Sequence, residues 1–357
     1  MTDQPLLSIR DLVVEFKTRR GLLRPVDHVS FDIARGEILG VVGESGAGKS
    51  MTGSAVVGLI DRPGRIAEGE ILLDGEPIHK LGEDAMRRVR GRRIGMVFQD
   101  PLTSLNPLLR IGDQLVETIR THLPLGEAEA RKRAIAALDE VGIPAAARRI
   151  DSYPHEFSGG MRQRVVIALA LAAEPELVVA DEPTTALDVS VQAQIIALLK
   201  RLCQDRGAAV MLITHDMGVI AEATDRVAVM YAGRLAEIGP TPEVLSAPKH
   251  PYTVGLMKST PSAIGVGGGG GGRLHQIPGS MPGLRAIPQG CAFHPRCPQA
   301  FARCEGTRPD PIPDGQGKVA CWLYDPTERE AKAAERAALA DEGVGAESNP
   351  AQGEGAS

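Results

Sequence analysis

Residues 43–50 read Gly43-Glu44-Ser45-Gly46-Ala47-Gly48-Lys49-Ser50. This segment matches the phosphate-loop pattern G-x-x-x-x-G-K-[ST], and it follows an apolar run at residues 37–42 that predicts a buried strand. Glycines let such a loop wrap closely around phosphate oxygens, so that its N–H groups converge on them at the start of a helix. We expect the loop and Met51 to bind a nucleoside triphosphate, with Lys49 on the β- and γ-phosphates and Ser50 on Mg²⁺.

Two adjacent carboxylates, Asp181 and Glu182, follow a second apolar run at residues 177–180. A carboxylate at the end of a strand beside a phosphate loop can reach the metal ion, and its neighbour can orient an attacking water. Such a pair taken alone is also compatible with a helix cap. Combined with residues 43–50, it predicts a nucleotide-hydrolysis site in which Asp181 holds Mg²⁺ and Glu182 acts on water.

Strand and helix patterns alternate from residue 6 to about residue 245. Further strands are predicted at residues 7–16, 26–33, 94–98 and 209–214, and a hairpin at residues 226–231 and 234–238. This alternation predicts an α/β domain with a mainly parallel sheet, covered on both faces, and with the hairpin as its antiparallel edge. Residues 101–165 lack strand patterns and have helical ones at 113–120 and 127–141, so we expect a helical subdomain there.

The composition excludes several classes of protein. Of 357 residues, 43% are apolar and 24% are charged, which excludes a wholly disordered or collagen-like chain. The longest apolar run, Val165–Ala173, is far shorter than the about 20 residues of a membrane-spanning helix. A net charge of −5 and an aromatic content of 3% argue against nucleic acid as a partner. Residues Met1–Pro5 lack the basic and apolar regions of a secretory signal, so we expect a cytoplasmic location.

A third motif lies between the phosphate loop and the apolar run at residues 177–180. It indicates which class of nucleotide-hydrolysing protein the chain resembles. It reads Phe157-Ser158-Gly159-Gly160-Met161. The motif resembles the signature sequence of ATP-binding cassette (ABC) ATPases, whose common form is Leu-Ser-Gly-Gly-Gln. A serine hydroxyl and glycine N–H groups at a helix start form a second anion-binding nest, which one triphosphate does not need. The resemblance implies a P-loop NTPase cassette whose Ser158, Gly159, Gly160 and Met161 act on the ATP of a second cassette.

The other elements of an ABC cassette occur in the family's order. The resemblance implies that Gln99 senses Mg²⁺ or water and couples to a membrane partner, and that His215 contacts the γ-phosphate. Within Thr185-Ala186-Leu187-Asp188, Asp188 is expected to cross the dimer interface. Phe16 lies where an aromatic side chain commonly stacks on adenine. Because Glu182 and His215 are both present, the cassette is expected to hydrolyse ATP.

Two further segments resemble the ATPases of oligopeptide and dipeptide importers, and in particular their D-type subunit. These segments are His250-Pro251-Tyr252-Thr253, followed by Pro261, and Tyr153-Pro154-His155-Glu156. The resemblance implies peptide import with a homologous F-type ATPase, two membrane permeases and an extracytoplasmic peptide-binding protein. It also implies a peripheral location on the cytoplasmic face of the inner membrane.

The sequence leaves the solute open. Importers of nickel, glutathione and opines share much of this extension. A soluble cassette protein acting on ribosomes or DNA is less favoured, because the chain has one cassette, no long coiled coil and an acidic balance.

Four of the five cysteines lie in residues 285–323: Cys291, Cys297, Cys304 and Cys321. Four thiolates this close can hold one metal centre. Their spacing matches neither the C-x₂₋₄-C pairs usual for structural zinc nor the ferredoxin patterns, so the residues alone leave the metal open. The D-type extension that this module resembles carries a [4Fe–4S] cluster, which the resemblance therefore implies, with Zn²⁺ as the alternative. The fifth, Cys203, falls on the apolar side of a predicted helix and is expected to be buried.

These patterns divide the chain into three parts. We expect a nucleotide-binding domain over residues 1–245 and a C-terminal extension over residues 246–325. The extension contains a glycine-rich linker at 265–272 and the four-cysteine module at 285–323. Residues 326–357 are rich in Ala, Glu, Gly and Ser and are expected to be disordered or partly helical.

Overall fold

The structure is a computed structural model that describes residues 4–184, 188–259 and 276–328, in which twelve strands and twelve helices form. The strands are β1 (Leu7–Thr18), β2 (Gly21–Ile33), β3 (Ile38–Val42), β4 (Gly64–Leu73), β5 (Glu76–Pro77), β6 (Ile94–Val97), β7 (Leu177–Asp181), β8 (Ala209–Thr214), β9 (Arg226–Tyr231), β10 (Arg234–Pro240), β11 (Ile312–Asp314) and β12 (Gly317–Val319). The helices are α1 (Lys49–Val57), α2 (Glu83–Val89), α3 (Pro101–Ser104), α4 (Ile111–His122), α5 (Glu127–Glu140), α6 (Ala146–Arg149), α7 (Gly159–Leu171), α8 (Val189–Arg206), α9 (Met217–Ala223), α10 (Thr241–Ser246), α11 (Pro251–Ser259) and α12 (Ala302–Gly306).

The main sheet has eight strands in the order β11-β12-β10-β9-β3-β8-β7-β6. Strands β9, β3, β8, β7 and β6 run parallel to one another. Every residue of β3, β7 and β8 is buried, as expected for strands that are covered on both faces. The mainly parallel α/β core predicted from the apolar runs is therefore confirmed.

A smaller antiparallel sheet, β2-β1-β4-β5, is formed by strands from the first part of the chain. It shares one hydrophobic core with the main sheet, and this core includes Ile9 and Ile71 of the smaller sheet and Leu39 of the main sheet. Strand β4 was not predicted, because its sequence, GRIAEGEILL, contains two glycines and three charged residues and does not alternate regularly.

The predicted antiparallel edge is confirmed, but the hairpin of β9 and β10 does not end the sheet. Strand β12 pairs with β10, so that Glu237 faces Val319 and Ile238 faces Lys318, and β11 follows. A Cβ atom at Gly317 would lie 2.4 Å from the Ile238 carbonyl oxygen, so only glycine fits this close approach. The C-terminal extension thus continues the sheet of the cassette.

The predicted helical subdomain is present as α3 to α7, between β6 and β7. Apolar residues at helical spacing on α4 (Ile111, Leu115, Ile119) and on α5 (Ala130, Ala134, Leu138) are buried in one core. Within the described ranges, no helix is both long and apolar enough to cross a bilayer. The predicted linker at 265–272, residues 185–187 and the tail beyond 328 lie outside the described residues.

Candidate functional site

The phosphate loop connects β3 to α1 in a conformation that requires its glycines. Gly46 and Gly48 have φ of +84° and +100°. A Cβ atom at Gly48 would lie 2.3 Å from the Pro25 carbonyl oxygen, and one at Gly43 would lie 2.2 Å from that of Met230. Both carbonyls belong to backbone that cannot give way easily. The loop is therefore confined to a shape in which its N–H groups lie at the start of α1.

Lys49 is held inside this loop. Its ammonium donates to the carbonyls of Gly43 (2.7 Å) and Glu44 (3.1 Å), and the residue is only 5% exposed. Burial lowers the pKa of Lys49, whereas the carboxylates of Glu182, Asp181 and Glu44 oppose this shift. The charge is thus placed where phosphate oxygens would replace the two carbonyls as partners.

Ser50 and Asp181, two of the three predicted magnesium ligands with Gln99, are in contact. The Ser50 hydroxyl on α1 donates to Oδ1 of Asp181 at the end of β7, over 2.9 Å. Burial raises the pKa of Asp181, and the Ser50 hydrogen bond opposes this. Magnesium prefers such oxygen ligands together with water and substrate phosphates, so the pair fits a Mg²⁺–nucleotide complex.

The three predicted catalytic residues, Gln99, Glu182 and His215, meet at the same edge of the sheet. They follow strands β6, β7 and β8, which are neighbours. The Gln99 amide donates to Oε2 of Glu182 over 3.0 Å, and Nδ1 of His215 lies 3.2 Å from Oε1 of Glu182. The structure therefore brings the predicted water-orienting carboxylate together with the other two predicted catalytic residues.

The signature residues lie at the exposed start of α7. Ser158 occupies the N-cap position, where its hydroxyl accepts from the Met161 N–H over 3.4 Å. Ser158 and Gly159 are exposed, whereas Phe157 before them is buried and fixes the chain. A Cβ atom at Gly160 would lie 2.9 Å from Val191 of α8. The motif thus leaves the start of α7 exposed, where the N–H groups of a helix attract negative charge.

Asp188 and Phe16 occupy different parts of the fold. Asp188 is exposed at the N-cap position of α8. Phe16 is half-buried on β1, directly opposite Gly64 of β4. A Cβ atom at Gly64 would lie 2.5 Å from the phenyl ring, so Gly64 provides the space for the predicted adenine-stacking residue. No motif indicated Gly64, because its role depends on a strand pairing.

Three residues of the C-terminal extension also reach the phosphate loop, and no motif predicted that contact. The Tyr252 hydroxyl accepts from the Glu44 N–H over 2.8 Å, and the Arg296 guanidinium lies 3.1 Å from the Glu44 carboxylate. Met281 lies beside Gly46: a Cβ atom added to Gly46 would be 3.4 Å from the Met281 methyl carbon. Tyr252 was singled out in the sequence only as part of the peptide-importer resemblance.

The four cysteines of the extension line one cavity, together with His250, Phe293 and Trp322. All four are free thiols, and burial raises the pKa of Cys291 to about 11 and that of Cys321 to about 12. Three of the sulfurs accept a hydrogen bond from the backbone two residues further on: Cys291 from Phe293, Cys297 from Gln299, and Cys321 from Leu323. Cysteine sulfurs that line one cavity and accept such bonds fit a metal–thiolate centre.

Cys203, the fifth cysteine, is buried on α8 in the core of the helical region, as expected. Burial raises the pKa of its thiol to about 12, which keeps it protonated and unreactive. It is therefore a structural residue, apart from the cavity that the other four line.

Comparison with known proteins agrees with this geometry. An ABC transporter family profile matches residues 26–185, and a profile described as the C-terminal region of oligopeptide/dipeptide transporters matches residues 236–304. The fold is similar to the ATP-binding cassette MJ0796 in a dimeric post-hydrolysis state with ADP and Pi (TM-score 0.60, 29% identity, 66% of this chain and 98% of that one). It is also similar to cbiO1 from Clostridium perfringens (TM-score 0.59, 28% identity, 69% and 92%).

The fold, the phosphate loop and the sheet edge at which Gln99, Glu182 and His215 meet together define an ATP-binding cassette ATPase. The chain is 45% identical to the dipeptide transport ATP-binding protein DppD of Bacillus subtilis (90% of this chain, 96% of that one). It is 46% identical to the oligopeptide transport ATP-binding protein OppD of Salmonella typhimurium (85% and 89%) and 44% identical to DppD of Escherichia coli (85% and 92%). The chain therefore belongs to the dipeptide and oligopeptide transport ATP-binding proteins of the ABC transporter family.

Proposed function

We propose that this protein is a peripheral membrane subunit that hydrolyses ATP to drive the import of dipeptides or oligopeptides through partner permeases. The nucleotide-binding domain is assigned to residues 1–245 and the peptide-importer extension to residues 246–325. The relatives' functions and the matched extension support the transport role. The single observation that carries the enzymatic role is the Glu182 carboxylate, held between Gln99 and His215 beside the Ser50–Asp181 pair.

Each residue of the site has a defined task in this proposal. The N–H groups of residues 43–50 and the Lys49 ammonium bind the phosphates. Ser50 and Asp181, with Gln99, would hold Mg²⁺, which neutralises charge on the phosphate oxygens when bound. Glu182 orients the attacking water and accepts its proton, while Gln99 and His215 hold the carboxylate in place.

A test of the enzymatic role replaces Glu182 by Gln. The variant keeps the size of the side chain and the contact with Gln99 but cannot accept a proton, so we expect turnover to fall at least 100-fold while MgATP still binds. Lys49→Ala is the matched variant in which MgATP binding itself weakens. Phosphate release and equilibrium MgATP binding are measured on both. Normal turnover by Glu182→Gln would show that another residue accepts the proton.

We further propose that the protein works in a pair of cassettes. Ser158 and Gly159 are exposed at the start of α7, and Gly160 and Met161 beside them are half-buried. Their hydroxyl and N–H groups would bind the ATP of a second cassette. Asp188, exposed at the start of α8, would lie in that interface. The second cassette is proposed to be a homologous F-type ATPase, and an extracytoplasmic peptide-binding protein is proposed to deliver the solute to the permeases.

The segment after Gln99 is proposed to contact a permease helix. Seven large apolar side chains are exposed within the described ranges. Three of them, Leu102, Leu108 and Leu109, lie in this segment, and a fourth, Phe98, lies directly before Gln99. Leu108 is 82% exposed and Leu102 is 63% exposed. Exposed apolar side chains concentrated in one stretch of the chain are typical of a protein contact, and this stretch adjoins Gln99, which contacts Glu182.

A charged side chain in the segment after Gln99 should separate the ATPase from its permeases. We expect Leu108→Asp to lose co-purification with the membrane subunits while MgATP binding is unchanged. Leu22→Asp is the matched control, because Leu22 is also exposed but lies on β2, away from this segment. Equal co-purification of both variants with the permeases would contradict the assignment.

We propose that the cysteine centre is a [4Fe–4S] cluster rather than Zn²⁺. Among the described residues, only Asp11, His28 and Glu68 bring three potential ligand atoms within 4.8 Å of one another, so no three of the cysteine sulfurs do. A tetrahedral zinc with bonds of about 2.3 Å needs its sulfurs only about 3.8 Å apart. Four more widely spaced sulfurs around one cavity are better suited to a cluster of several metal atoms.

A further inference from the structure

The C-terminal extension contacts the second residue of the phosphate loop by two independent polar interactions. The Arg296 guanidinium forms an ion pair with the Glu44 carboxylate over 3.1 Å. The Tyr252 hydroxyl accepts from the Glu44 N–H over 2.8 Å. Both partners lie more than 200 residues further along the chain. The backbone and the side chain of Glu44 are therefore both held from outside the loop.

Arg296 is itself fixed in one position. Its side chain is only 6% exposed, its Nε–H donates to the Pro278 carbonyl over 2.8 Å, and its Nη1 lies 3.3 Å from the Tyr231 hydroxyl. The guanidinium carbon is 5.8 Å from the ring centroids of both Tyr231 and Phe293. An arginine with hydrogen bonds and ring contacts on several sides loses little further freedom when it pairs with a carboxylate.

Tyr252 is fixed in a similar way. The side chain is completely buried near the start of α11, and its ring packs against Tyr231 with centroids 4.6 Å apart. The start of α11 is tied to β10, because the Glu237 carboxylate accepts from the His250 N–H over 2.9 Å. The hydroxyl that meets Glu44 is therefore positioned by the sheet of the cassette as well as by the extension.

This arrangement bears on nucleotide affinity. A loop with three glycines in eight residues loses much conformational entropy when it closes on phosphates. A loop that is already held in its binding shape loses less when the nucleotide arrives, and preorganisation of this kind strengthens binding. The simpler explanation is that the contacts only attach the extension to the cassette, in which case they affect stability and leave the affinity unchanged.

We propose that Arg296 and Tyr252 are positioning residues of the ATP site, through which the C-terminal extension holds the phosphate loop in its nucleotide-binding shape. This proposal rests on the proposed ATPase function. It makes the extension part of the nucleotide site of its own chain.

The test measures equilibrium binding of MgADP to the full-length chain, because MgADP is not hydrolysed during the measurement. We expect Arg296→Met to weaken binding roughly tenfold, since a charge-assisted contact is lost while the packing is kept. Arg296→Lys, which keeps the charge, should recover most of the affinity. The double variant Arg296→Met with Glu44→Gln should bind no more weakly than the weaker of the two single variants, because both remove the same contact.

Arg308→Met is the matched control. Arg308 also joins the extension to the cassette, by an ion pair of 3.5 Å with Asp27 of β2, but its partner lies outside the phosphate loop. We expect its MgADP affinity to stay within about twofold of that of the unsubstituted chain. An equal loss in Arg308→Met and Arg296→Met would show that the contacts only attach the extension, and would overturn the proposal.

Two other results would also overturn it: a folded Arg296→Met chain with unchanged MgADP affinity, or additive losses in the double variant. If Arg296→Met does not fold, Tyr252→Phe removes one oxygen and should still weaken MgADP binding about threefold, so unchanged affinity there has the same meaning. Failure of the proposed function gives a different result, namely a chain whose MgADP binding is absent or insensitive to Lys49→Ala.

Discussion

Glu182 has a left-handed backbone, with φ of +45°, which a residue with a side chain adopts at a cost of about 1–3 kcal/mol. Its N–H donates to the Ile213 carbonyl over 2.8 Å, and its carboxylate contacts Gln99 and His215. These contacts offset the strain and hold the turn. Because the chain turns here, a carboxylate that follows β7 reaches residues that follow both neighbouring strands.

Phe16 is a second single residue that allows a test, in this case of adenine recognition. We expect Phe16→Ala to weaken MgADP binding roughly fivefold, since an aromatic contact of about 1 kcal/mol is lost. Binding of magnesium pyrophosphate, which has no base, should not change. Gly64→Ala should act in the same direction as Phe16→Ala, because its methyl group would occupy space that the phenyl ring needs. Titration calorimetry with both ligands measures this. A parallel loss of pyrophosphate affinity would place Phe16 in the phosphate site instead.

Glu182 could be predicted from an apolar run and a nearby phosphate loop, whereas Gln99 and His215 were assigned through the resemblance to ABC ATPases. Gln99, Glu182 and His215 come after short apolar runs, and the ends of parallel strands meet at one edge. The partners of Glu44 could not be predicted in this way. Arg296 lies 252 residues away from Glu44, and their contact depends on how the extension packs rather than on a local pattern.

Among the elements, short strands with distant partners were also missed. Strands β11 and β12 have three residues each and join the sheet through β10, about 80 residues earlier in the chain. Their sequences, IPD and GKV, carry no strand pattern of their own. The buried strands β3, β7 and β8 were recognised because each is a continuous apolar run, whereas β4, rich in charge and glycine, was not.

Glu237 joins two elements, β10 and the start of α11, and allows a prediction of pH dependence. Burial raises the pKa of its carboxyl above the ordinary value of 4.5, although hydrogen bonds from the N–H groups of His250 and Lys249 oppose the shift. A raised pKa in the folded state means that folding favours the protonated form. The contribution of Glu237 to stability is therefore largest below pH 4.5 and declines as the pH rises through the folded pKa.

Glu237→Gln should remove this pH dependence. Relative to the unsubstituted protein, we expect the free energy of unfolding of the variant to rise as the pH increases from 4.5 to 7.5, because only the unsubstituted protein loses stability when a buried carboxyl group ionises. Urea unfolding of both proteins at four or five pH values across this interval gives the difference directly. Parallel stability curves would contradict the raised pKa, whatever the absolute stability of the variant.

In the molecule as a whole, the cysteine centre and the nucleotide site are joined by a single turn. Arg296 belongs to the 3₁₀ turn His294–Arg296, which lies between Cys291 and Cys297. The His294 N–H donates to the Cys291 carbonyl over 3.0 Å, and the Cys297 N–H donates to the His294 carbonyl over 3.1 Å. A group that fixes the two sulfurs therefore also fixes the turn that carries Arg296 to the phosphate loop.

Loss of the cysteine centre should therefore weaken nucleotide binding at a distance. In the anaerobically purified chain we expect iron and a broad absorbance near roughly 400 nm. Cys297→Ser should lose both and bind MgADP several-fold more weakly, because the turn between the two cysteines is no longer held. Cys203→Ala, the matched control in a separate core, should keep the iron, the absorbance and the affinity. Zinc without iron in the unsubstituted chain would contradict the cluster, whereas loss of iron from Cys297→Ser with unchanged MgADP affinity would contradict the coupling alone.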